Sequence, residues 1–241
     1  MDHGTDSILA TELLPLLGTG KAPCLIDVSL PEDITTDPWR LPTARHVPHM
    51  EIQNWFALPT QSMPVVTICQ KGLKLSHGAA ATLRSIGFYA RALEGGNTAW
   101  CAAHYPHLEL KAAATPGSRW VLPTTRDAKA CLAAWVIRRW YDPDAKLLWV
   151  PSAHAQDVAT RFEAHALPET PLAQSFAAKG LICPDLMDFV ASVEAIASPV
   201  TPLLGMLPNL HERDEDLAQA AMPFLDAAWL LHRQSNRQEV A

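Results

Sequence analysis

The sequence predicts an α/β fold, in which a parallel β-sheet flanked by helices is followed by a smaller α-rich domain. Two observations support this prediction. Short apolar runs alternate with helical patterns over the first hundred residues, which is typical of a parallel sheet covered on both faces. The later part of the chain is dominated by helical patterns, the strongest of them from Asp127 to Trp140. We therefore predict a first domain over residues 1–109, a linker over 110–117 and an α-rich domain over 118–241.

The first domain is predicted to contain four strands and three helices, with a further candidate strand at 46–48 and a candidate helical turn at 52–56. The apolar run from Val65 to Ile68 is rich in β-branched residues and predicts the central, buried strand. The other strands are predicted at residues 7–10, 25–28 and 89–93. Helices are predicted at 12–17 with Thr11 as N-cap, at 76–86, and from Asn97, as an N-cap, to Tyr105. Ser76 is expected to cap the second of these helices or to hydrogen-bond the loop before it.

The second domain begins after Leu110 to Ser118, a stretch whose small residues, proline and glycine are typical of a linker. Its first helix is followed by a turn and by a predicted strand from Lys146 to Val150. Further helices are predicted at residues 155–165, 186–197 and 217–232. We expect five tryptophans to form much of its core: Trp120, Trp135, Trp140, Trp149 and Trp229.

The composition is that of a folded protein. Of the 241 residues, 49% are hydrophobic and 18% are charged, which excludes a disordered chain. No apolar run approaches the length of a membrane span. The polar, acidic start, from Met1 to Asp6, does not resemble a signal peptide. We therefore expect a soluble, cytoplasmic protein without a membrane partner.

The charge distribution suggests an anionic substrate rather than nucleic acid. A net charge of -6 argues against general nucleic-acid binding. However, no Asp or Glu occurs between Glu51 and Glu94, where four cations do: Lys71, Lys74, Arg84 and Arg91. The segment is therefore locally basic in an acidic protein.

The five cysteines predict neither a disulfide framework nor a zinc site, because they are scattered, odd in number and form no CxxC pair. Cys24 and Cys101 fit core positions. A metal site made by Cys183 with His165 or His154 matches no standard motif. No metal and no cofactor are predicted.

Cys69 is the exception among the cysteines, because it follows the central strand and precedes a short loop and a helix. Loop amides and the helix dipole both favour a thiolate at such a position. Lys71 and Lys74 add positive charge, and Gly72 allows a sharp turn. We predict a reactive thiol; His77, one turn into the helix, is interpreted as a surface residue.

These residues resemble the active site of the rhodanese-type sulfurtransferases. The motif Cys69-Gln70-Lys71-Gly72-Leu73-Lys74-Leu75-Ser76 is similar to that family's loop, with Gly three residues after Cys. The early strand ending in Asp27-Val28 and the Gly95-Gly96 turn before Trp100 also resemble the family. The resemblance covers about residues 5 to 108. It implies a rhodanese-like sheet, Cys69 as the catalytic residue, residues 70–76 as the substrate-binding loop, and Asp27 as structural support.

The resemblance further implies a reaction: sulfane sulfur passes from thiosulfate or a related anionic donor to a thiol or cyanide through a Cys69 persulfide. Related phosphatases and arsenate reductases have an Arg six residues after Cys. Leu75 occupies that position here, so the shorter loop predicts sulfur transfer without phosphatase activity. Ser29 stands where the family has Arg, which predicts a looser ion pair. The alternative is a non-catalytic sensor of reactive sulfur or of a chromate-like oxyanion.

A second resemblance covers about residues 118–233. Trp135 to Ala145 and the strand after it are similar to the C-terminal domain of bacterial chromate-resistance regulators. That family has Asp-Arg and Cys-Pro where this chain has Lys129-Ala130 and Ala133-Ala134. Arg138 and Arg139 are candidates for binding an oxyanion, or for balancing the dipole at a helix end. Formation of a homodimer through this domain is one of the alternatives that the sequence allows.

Overall fold

The computed structural model describes residues 6–54, 63–109, 116–167 and 170–239. The chain divides into two compact units. The first comprises residues 1–17 and 21–113, and the second comprises residues 18–20 and 114–241. The predicted linker lies almost entirely outside the described residues.

The first unit is built on a five-stranded sheet in the order β1-β6-β5-β2-β4, and every strand pair in it is parallel. β5 is the central strand and has the predicted bounds. All four of its residues are buried, as expected for a dense apolar run. The register pairs Asp27 with Ile68, so the carboxyl ends of β2 and β5 lie side by side. The strands are β1 Ser7–Ile8, β2 Cys24–Asp27, β4 Arg45–His46, β5 Val65–Ile68 and β6 Ala90–Leu93.

Four helices accompany this sheet: α1 Ala10–Leu13, α2 Pro31–Thr36, α3 Lys74–Ser85 and α4 Gly96–Ala102. Two 3₁₀ segments, Leu14–Leu16 and His49–Asn54, complete the helical part. β3 (Trp39–Arg40) pairs antiparallel with β7 (His107–Glu109). α3 contributes Ala79, Ala80 and Leu83 to a core cluster that also contains Ile26 and Val65. Small residues on α3 let that helix lie close to the strands.

The predicted N-caps of this unit were wrong. α1 begins after Leu9, whose N–H donates to Glu12 Oε2 at 2.9 Å, so Thr11 lies inside the helix. α3 begins two residues earlier than predicted, at Lys74, which puts Ser76 in its first turn. α4 begins after Gly95, and Asn97 is buried in its first turn. In the last two cases the side chain serves the site described below instead of capping a helix.

The second unit contains a three-stranded parallel sheet in the order β10-β8-β9. Its strands are β8 Arg119–Pro123, β9 Lys146–Val150, which has the predicted bounds, and β10 His165–Ala166. β10 lies within the predicted helix 155–165, which in fact ends at Arg161. The remaining elements are α5 Ala128–Val136, α6 Ala155–Arg161, α7 Leu172–Ala178, β11 Leu181–Ile182, α8 Pro184–Glu194, α9 Thr201–Met206 and α10 Asp214–Glu239.

α5 is the central helix of the second unit, since every residue from Ala130 to Val136 is buried. Asp127 caps it by accepting the N–H of Ala130 at 2.8 Å. Four of the five predicted core tryptophans are fully buried, namely Trp120, Trp135, Trp140 and Trp229. Trp149 is only partly buried. These large side chains supply much of the buried volume of the second unit.

A π-helical turn, Ile137–Tyr141, continues α5 and carries the two adjacent arginines. Arg138 forms an ion pair with Glu215 at 2.6 Å, and Arg139 forms one with Asp226 at 2.8 Å. Both guanidinium groups are therefore paired with carboxylates of α10, and the binding of an oxyanion by Arg138 and Arg139 stays a prediction.

The predicted fold class is confirmed: a parallel sheet flanked by helices precedes a mainly helical unit. Within the described ranges, no helix has both the length and the apolar character needed to cross a bilayer. The same residues contain no group of three or more His, Cys, Asp or Glu side chains that could hold a metal ion.

Candidate active site

Cys69 directly follows β5 and is 4% exposed. Its Sγ lies 3.2 Å from Ser76 Oγ, and the same hydroxyl donates to the carbonyl oxygen of Leu73 at 3.2 Å. Thr67 Oγ1 donates to the carbonyl oxygen of Ser76 at 2.8 Å. The hydroxyl of Ser76 therefore contacts both the sulfur atom and the end of the loop at Leu73, while its carbonyl group is bound by β5 through Thr67.

The backbone amides of the loop are engaged to different extents. Among the described residues, no backbone hydrogen bond outside the helices and strands is donated by Gln70 or Lys71, whereas the N–H of Gly72 closes the turn over residues 70–71 toward Cys69 O. The last amides of the loop belong to the first turn of α3, where N–H groups have no partner within the helix and the helix dipole favours an anion. The amides of Gln70 and Lys71 and those that begin α3 are thus the candidate donors to a ligand at Cys69.

The carbonyl groups of the same loop are bound by the start of α4. The N–H of Asn97 donates to Cys69 O at 3.1 Å, and the N–H of Thr98 donates to Gln70 O at 2.9 Å. In a trans peptide the C=O and the following N–H point in opposite directions. Because α4 binds these two carbonyls, the N–H groups of Gln70 and Lys71 are directed away from α4.

Gly72 and Gly96 allow the loop and the start of α4 to touch backbone to backbone. Both have positive φ, 64° at Gly72 and 57° at Gly96. A Cβ on Gly96 would overlap Cys69 O and the amide nitrogen of Gly72. Only glycine fits here, because both the conformation and the separation exclude a side chain.

Asp27, at the end of β2, is buried beneath this contact at 1% exposure. Its Oδ1 accepts the N–H of Ser29 at 2.9 Å, and Asn97 Nδ2 lies 3.4 Å from Oδ2. Arg40 Nε of β3 forms an ion pair with Oδ2 at 3.3 Å. Burial lowers the pKa of Arg40 below its ordinary value, while the charge of Asp27 opposes that change. Asp27 therefore has a cationic partner in Arg40, although Arg40 Nε makes no hydrogen bond among the described residues, and the expectation of a looser ion pair stays a prediction.

The predicted substrate-binding side chains have different surroundings. Gln70 Nε2 donates to Asp37 Oδ2 at 2.8 Å, so its amide is engaged with the end of α2. Leu75 packs against the core cluster. Lys71, Leu73 and Lys74 are exposed. Of the predicted loop, these last three present their side chains to solvent.

The local positive charge is concentrated at Lys71 and Lys74. Arg84 forms an ion pair with Asp6 at 3.4 Å, and Arg91 lies over the Tyr89 ring at 5.7 Å. No ion pair of the described residues involves Lys71 or Lys74. The two lysines that flank Gly72 thus supply the uncompensated charge nearest to Cys69 in the sequence.

Three of the other thiols are poor nucleophiles at neutral pH. Burial, with a smaller effect of Asp37, raises the pKa of Cys101 to about 11. Burial likewise raises the pKa of Cys131 and of Cys183 to about 12 each. These groups remain protonated near pH 7, whereas the thiolate is the reactive form.

Sequence reasoning missed Arg40 and Asp37, and it gave Asn97 the wrong role. Arg40 lies in a two-residue strand without a periodic pattern, thirteen positions after Asp27. Asp37 follows the short α2. The sequence offered one general indication of such a partner, because a buried carboxylate such as Asp27 requires a cation or several hydrogen-bond donors. That requirement does not identify the residue that provides them.

The geometry defines a class of protein: a parallel α/β domain whose cysteine, at a strand end, adjoins backbone amides that suit an anion. Residues 9–103 match the family model of the rhodanese-like domain. This part of the chain is therefore a rhodanese-like domain.

Several solved structures are similar to part of the chain. A rhodanese-related protein from Thermoplasma volcanium is 24% identical, covering 42% of this chain and 96% of that chain, with a TM-score of 0.37. The human single-domain sulfurtransferase TSTD1 is 25% identical, covering 41% and 97%, with a TM-score of 0.36. A rhodanese homologue from the extreme thermophile Thermus thermophilus is 33% identical, covering 37% and 94%, with a TM-score of 0.29. No curated protein sequence matches the chain. The resemblance of residues 118–233 to chromate-resistance regulators stays a prediction.

We predict that Gly96→Ala displaces the Cys69 loop, because the added Cβ overlaps the backbone of Cys69 and Gly72. The variant should lose about 2 kcal/mol or more in free energy of unfolding, measured in urea, and its Cys69 should react with iodoacetamide at a changed rate. Gly78→Ala is the matched control. A Cβ there meets nothing within 4 Å, and α3 should gain about 0.5–1 kcal/mol. Equal behaviour of the two variants would contradict the steric account.

We also predict that Arg40→Met destabilises the chain by about 3–5 kcal/mol, because it leaves the buried Asp27 charge without its cation. Urea unfolding measures the change. The double variant Asp27→Asn/Arg40→Met should be less destabilised than Arg40→Met alone. Arg213→Met, which breaks an ion pair with 75% and 52% exposed side chains, should cost less than about 1 kcal/mol. A cost that small for Arg40→Met would refute the proposed support of Asp27.

Proposed function

We propose that the rhodanese-like domain is a sulfurtransferase in which Cys69 carries the transferred sulfur. The observation that carries the proposal is the position of Cys69 at the start of the loop, where the N–H groups of Gln70 and Lys71 donate no backbone hydrogen bond among the described residues and the last loop amides begin α3. Such amides suit the anionic sulfur of a persulfide and the anionic donor from which that sulfur comes. The proposed partners are a small anionic sulfur donor and a thiol or cyanide acceptor.

The proposed reaction has two displacements. The Cys69 thiolate attacks the outer sulfur of thiosulfate, a new S–S bond forms, and the donor's S–S bond breaks as sulfite leaves with the electron pair. An acceptor thiolate or cyanide then attacks the terminal sulfur and releases the Cys69 thiolate. Each step exchanges one anion for another at the same sulfur, so neither step requires a general base or a redox cofactor.

The side chains around Cys69 have separate roles in this proposal. Ser76 Oγ, 3.2 Å from Sγ, donates to the thiolate when its hydrogen is not used by Leu73 O. Asp27 and Asn97 are positioning residues, because they act on the loop through the start of α4. Lys71 and Lys74 are exposed and attract the donor. Five free cysteines fit a reducing compartment, and we propose the cytoplasm.

A phosphatase reaction is the less suitable use of this loop. Clamping a tetrahedral phosphate requires a planar, two-pronged donor such as Arg. The side chain six residues after Cys69 is Leu75, which packs into the core, and the nearest cation in the helix, Lys74, is a point charge. The loop therefore supports transfer of a single sulfur atom better than transfer of a phosphoryl group.

We predict that Cys69→Ser lowers thiosulfate-to-cyanide sulfur transfer about a thousandfold or more, because the hydroxyl is not ionised at neutral pH. Thiocyanate production measures the rate, and an unchanged unfolding midpoint shows that the fold survives. Cys101→Ser is the control, since a thiol with a pKa of about 11 should contribute nothing. Intact mass should show wild type one sulfur heavier after thiosulfate and restored by cyanide. A stable adduct without turnover would instead support a sensor.

We predict that Lys74→Ala raises the KM for thiosulfate about fivefold, corresponding to the ~1 kcal/mol expected of one solvated charge, with a smaller effect on kcat. Lys74→Arg is the control and should keep the wild-type KM, because it retains the charge. Steady-state kinetics at low ionic strength measures both constants. An unchanged KM in Lys74→Ala would refute the role of Lys74 without affecting that of Cys69.

A further inference from the structure

A cavity of about 440 Å3 lies in the second unit, at the carboxyl ends of its parallel strands. The end of β8, from Val121 to Pro123, forms one wall. Ser152, just after β9, and Ala166 of β10 also line it. In open parallel sheets this is the edge at which ligands bind. We call it the strand-end cavity.

Small side chains produce the space. Ala130 and Ala133 of α5, Ala155 of α6 and Ala166 of β10 line the cavity. Protein interiors are otherwise close-packed, and a larger aliphatic side chain at any of these places would fill part of the volume. The volume lies within the range of about 300–1,000 Å3 found for small-molecule sites.

The charge of the lining is balanced. Lys129 is the one ionisable residue among the described lining residues. Its Nζ forms an ion pair with Glu194 Oε1 at 3.2 Å, while Glu194 Oε2 accepts the N–H of Leu172 at the start of α7. The described lining therefore offers no uncompensated charge for a charged ligand. Ser152 and Gln156 are its uncharged polar side chains.

We propose that the strand-end cavity binds an uncharged, mostly apolar small molecule that carries a hydrogen-bonding group. The apolar lining removes the body of such a ligand from water, which is favourable in proportion to the apolar area buried. Ser152 and Gln156 offer partners for one polar group. A charged ligand would lose its hydration without gaining an unpaired counter-charge. This binding function is separate from Cys69 and does not depend on the proposed sulfur transfer.

The test uses the full-length protein and N-phenyl-naphthylamine, an uncharged aromatic amine that becomes fluorescent in apolar surroundings. Wild type should bind one equivalent saturably. Ala155→Phe, at a half-buried position of the lining, should weaken binding at least tenfold because the new ring occupies the cavity. Ala177→Phe is the matched control, with the same change at an exposed position of α7, and should bind as wild type does. Equal affinities in all three proteins would overturn the proposal.

Two further measurements cover the remaining outcomes. Ala133→Leu fills the cavity from the buried face of α5 and should weaken binding as Ala155→Phe does, provided that its unfolding midpoint shows a folded protein. The sulfonated analogue, anilinonaphthalene sulfonate, tests the ligand class. Any binding of it should be insensitive to Ala155→Phe. If the sulfonate bound more tightly than the uncharged amine and lost that binding in Ala155→Phe, the assignment to uncharged ligands would be wrong.

Discussion

The candidate active site depends on the contact between two stretches of backbone, the Cys69 loop and the start of α4. Gly72 and Gly96 bring them together, and the N–H groups of Asn97 and Thr98 bind the loop carbonyls. This arrangement determines where the remaining amides of the loop point. The direction of the Gln70 and Lys71 amides beside the buried sulfur atom is a consequence of that contact, and the proposed role of the loop backbone follows from it.

The carboxylate of Asp27, at the end of β2, stabilises this contact from the side of the sheet. Asp27 ends the strand next to β5, and its carboxylate lies among Ser29, Arg40 and Asn97. Because Asn97 also donates its backbone N–H to Cys69 O, the same residue touches both the carboxylate and the loop. Asn97 therefore links the two through its backbone N–H on the loop and its side-chain amide on Asp27.

The sequence was sufficient for those elements whose signal is local. β5 and β9 are dense apolar runs, and both have the predicted bounds. The helix starts were predicted less well, because Ser76 and Asn97 have the chemistry of caps but are engaged by Cys69 and Asp27. Arg40 could not be predicted, since its partner is distant in sequence and β3 is too short to show periodicity. The strand-end cavity likewise follows from which alanines face each other, which no periodicity indicates.

The glycine contact also separates two surfaces of the same short loop. Its inner surface consists of main-chain atoms fixed against α4, which substitutions of neighbouring side chains leave in place. Its outer surface carries Lys71, Leu73 and Lys74, whose side chains are exposed and contribute little to the packing. Under the proposed sulfur transfer, selectivity for a donor or an acceptor can therefore change at these three solvent-facing positions while the backbone beside Cys69 stays the same.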